Sequence, residues 1–330
     1  MNPLPIRPRR NRRTAAIRAL LRETALQPCD LVLPLFVQEG KQRSTPIPSL
    51  PGCARLSPDL ILRAATEAFE LGVLAVALFP VLAESLKDKT ATESKNPKGL
   101  LPRTIKLLKQ DLPELSVIGD VAMDPYSIDG HDGLVEDNKI LNDPTLEILG
   151  DMALNQAAAG ADWLAPSDMM DGRVGHLRRV LDENGFEEVG ILSYAAKYAS
   201  SLYGPFREAL DSAPRTGDKK TYQMDPANVR EALREVRLDV AEGADIVMIK
   251  PALPYLDVIA RVKAVVDVPV AAYHVSGEYS MVMAAAEKGW LDGDAVMAEM
   301  LLAIKRAGAD LIFSYYATEM ARSLSTSEQR

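Results

Sequence analysis

The sequence predicts an α/β protein, a closed (β/α)8 TIM barrel with an extended N-terminal arm, and three observations carry that expectation. Eight short apolar or β-branched runs alternate with segments of helical spacing, the grammar of a parallel sheet wrapped by helices. A Gly-Ala-Asp string recurs where a helical pattern ends and a run begins, at Gly160-Ala161-Asp162, Gly243-Ala244-Asp245 and Gly308-Ala309-Asp310. The length, 330 residues, suits one barrel with insertions as a single unit.

In chain order, residues 1–13 form the arm. Arg7-Pro8-Arg9-Arg10-Asn11-Arg12-Arg13 packs five arginines into seven positions ahead of a helix expected to start near Thr14. Such a segment is either a solvated tail or an arm docked on another subunit. Residues 14–330 form the single barrel domain. Its strands are expected at 31–37, 74–79, 116–121, 163–165, 189–192, 246–249, 268–273 and 311–313. These runs are mainly apolar or β-branched, as a strand buried on both faces requires. Gly just past a helix is the natural C-terminal cap, and Leu71-Gly72-Val73 repeats the pattern before the second strand. In 226–241, Val229, Leu233, Val236 and Val240 recur at three- and four-residue steps, which predicts an amphipathic crossover helix. An open doubly wound sheet is the alternative, but no Gly-rich phosphate turn follows the first strand.

Composition narrows the function. Net charge is −8 with pI about 5.1, which argues against a general nucleic-acid binder. The longest apolar run, 71–83, is too short to cross a bilayer and contains Pro80, and residues 1–25 lack the apolar core of a signal peptide. A cytoplasmic protein with no membrane contact is expected. Cys29 and Cys53 are the two cysteines; they cannot build a disulfide framework or a thiolate zinc site and are expected to be half-buried.

The active site of a closed barrel lies at the C-terminal ends of its strands, and polar residues collect there. Asp120 and Asp124 follow the third strand, Ser167 and Asp168 the fourth, and Ser193 through Lys197 the fifth. Lys250 ends the sixth, His274 and Ser276 follow the seventh, and Ser314 with Tyr315 the eighth. Lysine is almost never buried without a partner, so Lys250 at the end of Ile246-Val247-Met248-Ile249 stands out. Neighbouring strands lie about 5 Å apart, so Lys197 can reach the same cavity. Two cations in an apolar site lower each other's pKa, yielding the neutral amine that imine formation needs. Asp120, Asp124 and Asp132 surround one turn and could form a metal site, a general-base pair or only the turn itself. Asp168 and Asp171 read either as site residues or as helix N-caps. His176 and His274 lack any ligand spacing. The long connection 200–224, with Arg207, Arg215, Lys219 and Lys220, reads as a cationic lid over an anionic substrate.

At these residues the chain closely resembles the porphobilinogen synthase family, also called 5-aminolevulinate dehydratase. The resemblance runs from the arginine cluster to Ser314-Tyr315-Tyr316. It rests on Ala165-Pro166-Ser167-Asp168-Met169-Met170-Asp171-Gly172-Arg173, Tyr194-Ala195-Ala196-Lys197-Tyr198, Tyr203-Gly204-Pro205-Phe206-Arg207, Met248-Ile249-Lys250-Pro251 and Tyr273-His274-Val275-Ser276-Gly277-Glu278-Tyr279. It implies a lyase of tetrapyrrole (heme or chlorophyll) synthesis that condenses two 5-aminolevulinate molecules into porphobilinogen with loss of two waters. Lys250 would form the Schiff base with the first substrate and Lys197 with the second. Ser276 and Tyr315 would hold the first carboxylate; Arg207, Lys219 and Gln223 would hold the second. Asp124 and Asp132, with Asp120, would assist proton transfer or position an ion, and Ser167 would contact substrate.

The zinc-using branch of that family carries three cysteines where this chain has Ala122, Asp124 and Asp132, so catalytic zinc is not expected. Hard carboxylates suit magnesium, a monovalent cation such as potassium, or no ion. Glu235 stands where magnesium-stimulated members bind an allosteric Mg2+, and the family's usual assembly is a homo-octamer embraced by N-terminal arms. A one-lysine class I aldolase and an inactive scaffold barrel are the competing readings, and the pair Lys197/Lys250 argues against both.

Overall fold

The computed structural model describes residues 4–327. Eight strands form the barrel: β1 Leu31–Gln38, β2 Ala75–Val81, β3 Ser116–Val121, β4 Trp163–Pro166, β5 Gly190–Lys197, β6 Ile246–Lys250, β7 Val270–His274 and β8 Leu311–Ser314. Each pairs in parallel with the next, and β8 closes on β1 through Leu31 opposite Ile312 and Val32 opposite Phe313. The alternating runs therefore close into a barrel, and the doubly wound alternative is excluded.

The crossover helices are α1 Pro58–Glu70, α2 Leu100–Asp111, α3 Asn142–Ala158, α4 Arg173–Glu183, α5 Arg230–Ala241, α6 Leu256–Lys263 and α7 Gly293–Ala307, with α8 Ala317–Ser327 after β8. The amphipathic segment expected from residue 226 becomes helical at Arg230, because a turn precedes it in which Asp225 accepts the Ala227 N–H on its carboxylate and the Asn228 N–H on its carbonyl.

The recurrent Gly-Ala-Asp string has a double role. Gly160, Gly243 and Gly308 have φ of +99°, +105° and +119°, the left-handed caps that end their helices. The aspartate then brackets one residue on the preceding strand. Asp162 accepts from the Val117 N–H at 2.7 Å and donates its own N–H to the Val117 carbonyl at 3.0 Å. Asp245 does the same to Ile191 and Asp310 to Val270. Backbone groups that a starting strand leaves unpaired are thus satisfied from within the repeat.

Aromatic and aliphatic side chains fill the interior; Phe36, Phe79, Tyr194, Tyr273 and Phe313 are all buried. Three insertions at the strand ends were not expected from the sequence. Ser44–Pro46 and Ala54–Leu56 pair antiparallel beside β1, Leu134–Glu136 and Lys139–Leu141 make a hairpin, and the helix Gly204–Leu210 lies inside the long connection after β5. At the N-terminus, Thr14 caps the helix Ala15–Leu20 by accepting from the Ile17 N–H. No side chain among residues 4–22 is buried, and Leu4, Ile6 and Leu20 are largely exposed. Cys53 is half-buried as expected, but Cys29 is exposed. No helix among the described residues is long and apolar enough to cross a membrane.

Candidate active site

The parallel register places Lys197 directly opposite Lys250 at the ends of β5 and β6. Both are buried, and with Asp120, Asp124, Ser167, Arg207, Lys219 and Gln223 they line one cavity, whose free volume is about 20 Å³. That is room for about one water. The lid is closed over it.

Lys250 lies in an aromatic cage. Its Nζ is 4.4 Å from the Tyr273 ring centroid, 4.8 Å from Phe206, 4.9 Å from Tyr194 and 5.5 Å from Tyr203. Ring faces favour a cation. Burial and the nearby Lys197 oppose it and prevail, so the amine is pushed down from 10.5 to about 7. In the sequence these rings stand inside the motifs around the two lysines with nothing to mark a role. The available signal was that aromatic residues, only 5% of the chain, gather beside both lysines.

Lys197 is held differently. Its Nζ donates to Asp132 Oδ2 at 3.1 Å and to the Ser167 carbonyl. Lys219 reaches in from the lid to Asp132 Oδ1 at 2.7 Å and Asp124 Oδ2 at 3.3 Å. Burial works against the Asp132 carboxylate, but the two ammonium groups outweigh it and hold its pKa well below the usual range. The same two carboxylates overcome burial at Lys219 and raise its pKa. Asp120, buried and beside Asp124, is pushed up to about 7; Asp124 is raised by burial despite Lys219. Lys250 and Asp120 thus titrate near neutrality while Asp132 and Lys219 hold fixed charge, which is what acid–base chemistry on a bound carbonyl requires.

The remaining predicted residues divide. Arg207 and Gln223 face the cavity, and the Gln223 Oε1 is buried without a hydrogen-bond partner. Ser276 and Tyr315 do not line it. The Ser276 hydroxyl accepts from the Phe206 N–H at 3.0 Å and meets the Leu202 carbonyl at 3.3 Å, while the Tyr315 hydroxyl pairs with Tyr273 at 3.1 Å. Asp168 and Asp171 are not N-caps: Gly172, in the left-handed region at φ +74°, precedes α4, and Asp168 instead accepts from the Met170 N–H. His274 is fully buried and bonds Ser314, and burial lowers it to about 4. His131 anchors the lid: one ring nitrogen meets the Thr216 carbonyl at 2.9 Å, the other the Tyr222 hydroxyl at 3.1 Å.

Glu235 lies apart, half-buried on α5 at the edge of a groove of about 970 Å³ between the 134–141 hairpin and the outer face of the lid. Burial, then Asp239, Asp171 and Glu231, raise its pKa.

Comparison with known proteins agrees with this geometry. The family model of delta-aminolevulinic acid dehydratase matches residues 5–323. The chloroplastic delta-aminolevulinic acid dehydratase of Physcomitrium patens is 55% identical over 323 residues, covering 97% of this chain and 74% of the relative. That of Bradyrhizobium diazoefficiens is 52% identical, covering 98% and 92%. A crystal structure of the Toxoplasma gondii enzyme (porphobilinogen synthase) in complex with its reaction product porphobilinogen superposes with a TM-score of 0.96 at 50% identity, covering 98% of this chain and 92% of that one. With two facing lysines, a carboxylate cluster and a lid in one barrel mouth, and this likeness across nearly its whole length, the chain belongs to the delta-aminolevulinic acid dehydratase family.

Proposed function

We propose that this enzyme condenses two 5-aminolevulinate molecules into porphobilinogen, releasing two waters, through imines on Lys250 and Lys197. The observation that carries the reading is the register pair Lys197–Lys250 at one closed cavity. The Lys250 amine, brought down to about 7 by burial so that a substantial fraction is neutral, attacks the ketone of the first substrate, and the resulting carbinolamine loses water to give the imine. Lys197, held by Asp132, first yields its proton to the raised carboxylates Asp120 or Asp124, then does the same with the second substrate. Asp120 and Asp124, raised toward neutrality, receive and return the protons of C–N and C–C bond formation. Arg207, Lys219 and Gln223 take the second substrate's carboxylate; Lys219 exchanges Asp124 and Asp132 for it. Ser276 and Tyr315 take the first carboxylate once their present contacts with the lid backbone and Tyr273 give way. Borohydride added during turnover should fix substrate on the Lys250 or Lys197 peptide, and Lys250→Met should yield no Ehrlich-positive pyrrole. An adduct confined to another lysine would sink the assignment.

The metal reading follows from donor chemistry. Asp124 and Asp132 are hard oxygen donors already shared with Lys219, and Ala122 offers no donor, so the position suits a magnesium or monovalent ion better than zinc. At Glu235 the mutual repulsion with Asp239, Asp171 and Glu231 would be relieved by a hydrated dication, so Glu235 would hold the stimulatory magnesium. The exposed arm, with its five arginines, would order against a neighbouring subunit in a homo-octamer. Cytoplasmic placement belongs to the same reading.

A further inference from the structure

We infer that Arg55 and Lys87, two residues outside the reaction cavity, are positioning residues that hold the short lid helix Gly204–Leu210 down over Lys250. That helix carries Phe206, whose ring lies 4.8 Å from Lys250 Nζ, and Arg207, which lines the cavity. Its first turn is fixed by Ser276 accepting from the Phe206 N–H. At its C-terminal end the Glu208 carbonyl has only the 3.3 Å bond from the Asp211 N–H, and it, the Ala209 carbonyl and the carbonyl of the cap residue Asp211 meet two cations drawn from distant parts of the chain. Arg55, on the inserted strand Ala54–Leu56, donates from Nε to the Ala209 carbonyl at 2.7 Å and from Nη2 to the Glu208 carbonyl at 2.6 Å. Lys87, in the loop after β2, donates to the Asp211 carbonyl at 2.8 Å, and its side chain is only 1% exposed.

Both cations are themselves fixed. Arg55 sits in register with Phe36 of β1, and Gln38 donates to its carbonyl at 2.7 Å. Lys87 is paired at 2.9 Å with Glu84, whose carboxylate also takes Arg215 from the far side of the lid. A seven-residue helix starting at Gly-Pro has little stability of its own, so its place depends on these end contacts. Three charged-to-carbonyl hydrogen bonds are a large share of them, and they lie at the end of the helix remote from the chemistry.

The inference rests on Arg207 receiving a substrate carboxylate, and the test separates the two. Arg55→Ala and Lys87→Met, in the full-length enzyme, should each raise KM for 5-aminolevulinate about tenfold or more with a much smaller change in kcat, because the lid closes less often but the lysines are untouched. Borohydride should still fix substrate on Lys250, amide exchange in 204–211 should quicken, and Arg55→Lys should recover part of the KM. Arg207→Ala serves as the control. If it raises KM while both clamp variants leave KM and exchange unchanged, the clamp is wrong although the site reading stands. If Arg207→Ala itself leaves KM unchanged, the site reading fails instead. A lower melting temperature with unaltered kinetics and lid exchange would reduce Arg55 and Lys87 to ordinary structural contacts and overturn the inference.

Discussion

Lys250 is pulled in two directions: four ring faces favour its cation by about 0.5–2 kcal/mol each, while removal from water costs a charge several kcal/mol. The second effect wins, and the amine titrates near 7. A nucleophilic lysine must be neutral, so kcat/KM should fall as pH drops through about 7. The charged groups that bear on it are Lys197, Asp120, Asp124 and Asp132. Removing the negative charge in Asp120→Asn takes away support for the cation, so the acidic limb of substrate trapping should move to lower pH. A limb that stayed put or moved upward would mean that another group controls it. Lys250 was legible as a polar residue ending an apolar run; Lys197, beyond the strand expected at 189–192, was legible only through its neighbourhood to Lys250, and the strand in fact runs on to it. The cage was not, since a buried ring reads as core whatever it faces, and Ser276 and Tyr315 could be placed near the mouth but not at the cavity wall.

Among the secondary-structure elements, α4 and α5 are joined to β5 by a buried ion pair. Arg173 donates to Asp239 Oδ2 at 2.9 Å and to Ser193 Oγ at 3.0 Å, with both charged side chains almost fully buried. Asp239→Ala would strand the guanidinium, and a loss of about 3–5 kcal/mol in denaturant unfolding is expected. The double change of Arg173→Met with Asp239→Leu should cost less than that single one, and the reverse order would refute this account. A second constraint lies on β3. A Cβ on Gly119 would sit 1.9 Å from Gln156 Oε1, and Gln156 donates to the Asp120 carbonyl at 2.8 Å. Gly119→Ala should therefore destabilise by about 1–3 kcal/mol and disturb Asp120, measurable together as a lower melting temperature and lower kcat. All eight strands were legible from apolar runs and glycine caps. The lid helix was not: its seven residues make only about two turns from a Gly-Pro start, too few for a sustained apolar stripe, and tertiary contacts at its ends hold it.

For the whole molecule, the net charge of −8 divides unevenly: residues 14–330 carry −13, while five arginines are gathered on the exposed arm. Opposite charge on two parts of one chain favours pairing between copies, and such pairing weakens with salt. Deleting residues 1–13 should give smaller, less active assemblies by light scattering, and raised salt should act in the same direction. An unchanged assembly would leave the arm without this role. Magnesium should raise activity in the intact enzyme and fail to do so in Glu235→Ala, which keeps a basal rate; phenanthroline should leave activity intact. Assembly was the least legible level, because a subunit interface looks in sequence like any other surface.

The closed cavity, with room for about one water, has a consequence for charge traffic. Lys250 and Asp120 titrate at about the same value but with opposite charge types. A proton passing from the ammonium to the carboxylate turns a zwitterionic pair into a neutral one without altering the total charge inside the barrel. The exchange is electroneutral, so the amine can be armed behind the lid with no proton exported to solvent and no uncompensated charge left in the buried site.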